Sequence, residues 1–170
     1  DVEFVGLDMD FHNRGARAAE QVEVMRRLWA EDVITFKGKW HTIEAAGIRP
    51  RPRRQIPVWF GGSDERALRR TAELGDGWFP LEATDRGLVL LEKLRGFARE
   101  AGRDPATIGV EARIPMANTD EPQRDAMVEA WRAAGASHIS VVTMRAGHQS
   151  VGDHIEAIRR FYDRYKHLQG

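Results

Sequence analysis

The spacing of apolar residues predicts that the chain begins with an amphipathic helix. Apolar side chains recur three or four positions apart over residues 14–30, and charged side chains fill the opposite face. Two short runs rich in β-branched and aromatic residues follow, at residues 33–36 and 40–43, with a glycine turn between them. This second pattern predicts a small β-hairpin.

Residues 56–170 repeat one pattern four times. Each unit has a short apolar run, a turn and a segment with helical period, and a connector rich in proline and arginine precedes the first unit. Because alternating strands and helices produce parallel strands with right-handed crossovers, an α/β fold with four parallel strands is expected. The predicted strands span residues 56–60, 76–79, 108–116 and 138–144, and the predicted helices span residues 64–74, 85–101, 122–134 and 151–168.

Four units correspond to half of a (βα) barrel of the TIM type, since a closed eight-unit barrel typically has roughly 250 residues. We expect residues 1–170 to form one domain, with the helix, hairpin and connector in residues 1–55. An open doubly wound sheet is the alternative, but the G-x-G-x-x-G fingerprint of dinucleotide folds is absent after the first strand. The outer strands, near Val58 and Val141, would leave backbone groups unpaired. The chain is therefore expected either to lack the N-terminal half of a barrel or to pair with a second copy as a homodimer.

The composition of the chain argues against several kinds of binding partner and of chemistry. The 26 basic and 26 acidic side chains give no net charge, so neither nucleic acid nor an anionic membrane is an expected partner. The apolar runs are far shorter than the roughly 20 residues that span a bilayer. Without cysteine there is no thiol chemistry, and a cytoplasmic location is expected. The histidines show no spacing typical of metal ligands, and no serine lies in a nucleophile-elbow pattern, so neither a metal nor a hydrolase is predicted.

Several motifs, taken in their order along the chain, resemble the C-terminal part of the bacterial luciferase-like monooxygenase family. The motifs are Glu3-Phe4, residues 11–15, Leu28-Trp29, residues 33–38, Pro50-Arg51-Pro52, residues 56–63, residues 67–70 and residues 74–78. The resemblance implies an eight-stranded (βα) barrel in which this chain corresponds to strands five to eight and an insertion. It also implies a parent oxidoreductase whose first four strands, which contact the cofactor ring, have no counterpart here.

The resemblance further implies a reduced flavin (FMN) or deazaflavin (coenzyme F420) as the cofactor, bound through its phosphate by Gly61, Gly62 and Ser63. The Gly-Gly-Ser turn and the Arg14-Gly15 helix start are closer to the F420 branch of the family. A turn between a parallel strand and a helix suits an anion, because backbone N–H groups point outward at the helix start. The alternative is that the glycines only turn the chain and Ser63 caps the helix.

Residues after the strand ends are candidates for the substrate side, because barrel enzymes place their sites there. Leu81, Met116 and Arg145 occupy such positions, and the Arg145 guanidinium suits a carboxylate or phosphate unless it is only a surface-loop arginine. Asp76 and Trp78 are expected to be mainly structural. We expect Asp76 to satisfy backbone donors of the preceding turn and Trp78 to fill the barrel interior.

Two functions remain open at this point. The first is a flavin- or F420-dependent oxidoreductase that transfers hydride through its cofactor to a small organic substrate. No catalytic side chain is assigned, because the hydride chemistry belongs to the cofactor. The alternative is a non-catalytic half-barrel that pairs with another chain and retains at most a vestigial phosphate site.

Overall fold

The computed structural model describes residues 2–168 and confirms the predicted alternation of strands and helices. The helices are α1 (Val2–Gly6), α2 (Arg14–Ala30), α3 (Glu65–Leu74), α4 (Thr84–Glu100), α5 (Glu121–Ala133) and α6 (Val151–Tyr165). The strands are β1 (Ile34–Lys37), β2 (Thr42–Ala46), β3 (Trp59–Gly61), β4 (Gly77–Phe79), β5 (Gly109–Pro115) and β6 (His138–Val142). Within residues 2–168, no helix combines the length and apolar content needed to cross a bilayer.

Several element bounds differ from the predictions. Strand β3 begins at Trp59 rather than at residue 56. Residues 56–58 lie outside the strand, and they include Pro57, which has no N–H to donate to a neighbouring strand. The last strand ends at Val142, two residues early, and α6 ends at Tyr165. Helix α1 was not predicted by the apolar spacing.

The strands form two separate sheets. Strands β1 and β2 pair antiparallel, which confirms the hairpin. In the described part of the chain, the other four strands form a parallel sheet in the order β3-β4-β5-β6. No strand of residues 2–168 pairs with the outer edge of β3 or of β6.

One face of the parallel sheet packs against helices α3, α4 and α5 and forms the main core. Along β5 the side chains alternate, with Val110, Ala112 and Ile114 buried on this face. Trp78 is paired in register with Val110 and is fully buried in the same core. The expectation that Trp78 fills the barrel interior is therefore wrong, because the strand register turns its side chain toward the helices.

The opposite face of the sheet, called here the inner face, carries a different set of side chains. It includes Trp59, Gly61, Gly77, Phe79, Gly109, Glu111, Arg113, Pro115, His138, Ser140 and Val142. The indole of Trp59 lies over two glycines, since a Cβ on Gly77 would lie 2.1 Å from the ring and one on Gly109 would lie 2.7 Å from it. The same ring lies 5.3 Å, between centroids, from both Phe79 and His138. Trp59 thus forms an aromatic floor across the lower inner face.

A single carboxylate fastens the hairpin to α2. Glu20 accepts hydrogen bonds from the backbone N–H groups of Lys39, Trp40 and His41 at 2.7 to 2.9 Å, and from the His41 ring at 2.8 Å. Burial alone would raise the pKa of Glu20. The hydrogen bonds outweigh burial and lower the pKa from 4.5 to about 2.

Replacing Gly77 with Ala tests the packing of Trp59. The added methyl group must displace the indole ring, so we expect the free energy of unfolding to fall by about 1–3 kcal/mol. Gly96→Ala is the matched control, because no atom lies within 4 Å of the position that its methyl group would take on α4, and alanine favours a helix by up to about 1 kcal/mol. Urea unfolding measures both variants, and equal stability of the two would contradict this packing.

The Glu20 contacts predict a dependence of stability on pH. Because folding lowers the pKa of Glu20, its contribution is complete above about pH 4.5 and is lost as the pH falls toward 2. Glu20→Gln should therefore lower the urea midpoint at pH 7 and flatten its decline between pH 5 and pH 3. Glu44→Gln, an exposed position on β2, is the control. An unchanged pH profile in Glu20→Gln would show that this carboxylate does not fasten the hairpin.

Candidate functional site

The predicted phosphate turn connects β3 to α3 at the C-terminal edge of the parallel sheet. Gly62 has a φ of 111°, a conformation that glycine adopts readily and other residues avoid. A Cβ at Gly62 would also lie 2.8 Å from the Cβ of Ala67. At Gly61, by contrast, no atom lies within 4 Å of a Cβ position. The turn is therefore closely packed behind Gly62 and open beside Gly61.

Asp64, and not Ser63, caps helix α3. The Asp64 carboxylate accepts a hydrogen bond from the backbone N–H of Ala67 at 3.0 Å. The neighbouring Glu65 carboxylate pairs with Arg69 at 2.9 Å. Asp64 is therefore the cap of α3, and the alternative in which Ser63 caps the helix is wrong. The first N–H groups of α3 lie at the C-terminal edge of the sheet, where the helix dipole favours an anion.

Trp78 connects this turn to the core. Its indole Nε1 donates a hydrogen bond to the Gly62 carbonyl oxygen at 3.0 Å. The side chain is fully buried, so the donor is held by the surrounding packing. Because a buried tryptophan N–H requires an acceptor, the bond fixes the orientation of the peptide after Gly62.

Asp76 has a structural role that differs in detail from the expected one. Its carboxylate accepts hydrogen bonds from the N–H of Val58 at 2.7 Å and from the Arg26 guanidinium at 2.8 Å. Arg26 also donates to the Leu74 carbonyl at 2.7 Å. Asp76 therefore joins the segment that enters β3 to helix α2, instead of satisfying the turn that precedes Asp76.

The three predicted substrate-side residues follow strand ends at the same edge of the sheet as the turn. Leu81 follows β4 and is 62% exposed, whereas Met116 directly follows β5, is half-buried and donates its N–H to the Val142 carbonyl at 2.9 Å. Arg145 is exposed in the loop after β6 with a φ of 59°. The topology thus brings these residues to one edge, and Arg145 lies on the outermost loop.

Sequence reasoning missed a contact between two histidines beside the loop after β6. The rings of His148 and His154 lie 4.8 Å apart, and Nδ1 of His154 is 2.8 Å from the Thr143 hydroxyl. Their separation of six positions crosses a loop, so no helical or strand spacing indicated the contact. In residues 2–168, no group of three or more His, Asp or Glu side chains is arranged to hold a metal ion.

A groove of about 820 Å³ lies along the open edge of β6, away from the turn. Ile139 and Val141 line its strand side, and Ile158, Phe161 and Tyr162 line its α6 side. Further apolar residues of α6 are also exposed, since Val151 is 76% and Ile155 is 44% accessible. Helix α6 therefore presents an apolar surface beyond the last strand.

Four parallel strands connected by helices, with a glycine turn at their C-terminal edge, are the arrangement of (βα)-barrel proteins. A family model described as luciferase-like monooxygenase matches residues 1–169. The chain belongs to the luciferase-like monooxygenase family.

Curated relatives match parts of the chain. The pyrimidine monooxygenase RutA of Allorhizobium ampelinum is 36% identical over 108 residues, which cover 59% of this chain and 29% of the relative. An F420-dependent hydroxymycolic acid dehydrogenase of Mycobacterium tuberculosis is 26% identical over 128 residues, covering 75% of this chain and 36% of the relative. The aligned part of the chain thus spans about a third of the length of these relatives.

Solved structures show the same fold. An F420-dependent secondary alcohol dehydrogenase, in complex with an F420-acetone adduct, has a TM-score of 0.63 at 21% identity over 77% of this chain and 56% of its own. The long-chain alkane monooxygenase LadA has a TM-score of 0.67 at 13% identity over 93% of this chain and 58% of its own. These similarities confirm the α/β fold of TIM-barrel type.

Trp78→Phe tests whether Trp78 fixes the turn. The variant keeps an aromatic ring and removes the N–H donor, so stability should fall by about 1 kcal/mol and amide hydrogen exchange should rise in residues 61–64. Trp131→Phe loses the same ring volume in the same core and is the control. Equal exchange in residues 61–64 of the two variants would contradict a role for Trp78 in fixing the turn.

Proposed function

We propose that this chain supplies the phosphate-binding half of an oxidoreductase that uses a reduced flavin or coenzyme F420. The observation that carries the proposal is the turn at residues 61–63, which is open beside Gly61 and fixed from behind by Trp78. Ser63 is not consumed as a helix cap, so its hydroxyl is free to meet a ligand. The relatives support a cofactor of this class, since one matched relative and one similar structure are F420-dependent.

The residues of this chain would bind and orient the cofactor. Backbone N–H groups at the start of α3 and the Ser63 hydroxyl would hold the phosphate, with Gly61 leaving room for its approach. When bound, the flavin or deazaflavin supplies the hydride chemistry. The rings of Trp59 and Phe79 pack against each other on the inner face, 5.3 Å apart between centroids, and the cofactor ring would lie at the C-terminal edge beside them.

The substrate would be a small organic molecule that meets the cofactor at this edge. Leu81, Met116 and Arg145 surround the edge from the loops after β4, β5 and β6. Of the two cofactors we propose F420, on the likeness of the Gly-Gly-Ser turn and of the Arg14-Gly15 helix start to the F420 branch. Met116 is the half-buried member of the three and would contact the substrate most closely.

Equilibrium titration with FMN and with F420 tests this proposal, and each is compared with its phosphate-free chromophore. We expect saturable binding of one cofactor and clearly weaker binding of the chromophore that lacks phosphate. Gly61→Leu places a side chain in the open space, with no atom within 4 Å of its Cβ, so phosphate-dependent affinity should fall at least about tenfold, the equivalent of one charge-assisted hydrogen bond.

Gly96→Leu is the matched control, because its Cβ position on α4 is equally free of neighbouring atoms. It should leave the affinity unchanged. Cofactor binding that ignores the phosphate, or that survives Gly61→Leu, would contradict the role of the turn. No binding of either cofactor would contradict the proposed function.

A non-catalytic half-barrel that pairs with another chain is the second candidate function. The apolar groove along β6 and the exposed side chains of α6 favour it, because parallel strands rarely leave an edge open to water. Sedimentation of the same samples distinguishes the two candidates. A dimer that binds no cofactor supports the second, and a 19.3 kDa monomer that binds cofactor supports the first.

A further inference from the structure

Two charged side chains lie on the inner face of the sheet, one layer apart. Glu111 and Arg113 alternate along β5 with the buried Val110, Ala112 and Ile114, and both are half-buried. Within residues 2–168, neither side chain makes a hydrogen bond or an ion pair. Glu111 and Arg113 do not form an ion pair with each other either, because their charged atoms do not approach within 4 Å.

Arg113 lies close to the C-terminal edge. It is two residues before the end of β5 and is paired in register with Ser140 of β6. The floor formed by Trp59 lies at Gly109, four residues lower, which corresponds to about 13 Å along a strand. Arg113 therefore stands above the aromatic floor, on the side of the sheet where the phosphate turn opens.

The chemistry of arginine calls for an anion at this position. A guanidinium is always charged, and a partly buried charge without a partner lowers stability. The other groups on the neighbouring inner face are Glu111, His138 and Ser140. Glu111 lies one layer deeper toward the floor, so a molecule that enters from the edge meets Arg113 first.

We propose that Arg113 binds the anionic group of the substrate, which makes an organic carboxylate the class of molecule accepted at this site. The inference rests on the proposed function, because that function places the substrate at this edge. Sequence reasoning assigned such a group to Arg145. Arg145 is exposed on the loop beyond β6, whereas Arg113 is half-buried on the inner face and offers a planar fork of donors to a carboxylate.

Calorimetric titration with benzoate and benzamide tests the inference, because the two probes share size and shape and differ in charge. We expect the protein to bind benzoate and to bind benzamide at least about tenfold more weakly. Arg113→Gln should abolish this preference, and Arg113→Lys should restore part of it, since lysine keeps the charge without the planar fork. Unfolding midpoints show whether each variant is folded.

Arg54→Gln is the matched control, because it removes an exposed guanidinium of the connector before β3, and it should leave the preference for benzoate unchanged. Equal binding of both probes, no benzoate binding, or an unchanged preference in Arg113→Gln would overturn the inference. Phosphate-dependent cofactor binding without benzoate binding rejects the inference alone, whereas benzoate binding without cofactor binding rejects the proposed function.

Discussion

The hydrogen bond from the Trp78 indole to the Gly62 carbonyl connects the stability of the core to the geometry of the candidate site. Trp78 is fully buried between the sheet and the helices, so its donor has little freedom to move. The glycine at position 62 permits the positive φ that turns the chain. A core residue thereby orients a loop whose own side chains are too small to pack.

The two faces of the parallel sheet differ: one packs against the helices, and the other carries the charged side chains near the candidate site. The helix-facing side is apolar and closely packed, as expected of a sheet covered by crossover helices. On the inner face, two glycines leave space for the flat ring of Trp59, and the charged side chains begin above it. The inner face is therefore apolar at the N-terminal ends of the strands and polar toward their C-terminal ends. Such an arrangement is suited to holding a ligand at the C-terminal ends.

Much of the fold was predictable from the sequence, because apolar periodicity reports local structure directly. The four repeated units, the hairpin and helix α2 were all confirmed, with differences at the element bounds. The face on which a side chain lies was harder to predict. Trp78 was placed on the wrong face because β4 is only three residues long and offers too little alternation to establish its register.

The contents of the site were predictable only in part. The Gly-Gly-Ser turn carries a local signal, and the structure shows it at the strand end where an anion would be met. Arg113 was not among the predicted site residues. Polar residues that alternate with apolar ones show that a strand has two different faces, but they do not show which face lines the site. The contact between His148 and His154 depends on a loop conformation, which residue spacing does not encode.

The central claim is that the N–H groups around Gly62 and Ser63 receive the phosphate of the cofactor. Chemical-shift mapping of backbone amides by NMR tests it most directly, with FMN or F420 added to the isotopically labelled protein. We expect the Gly62 and Ser63 amides to shift with the phosphorylated cofactor and not with its phosphate-free chromophore. Saturating cofactor that shifts other amides and leaves these two unchanged would contradict it.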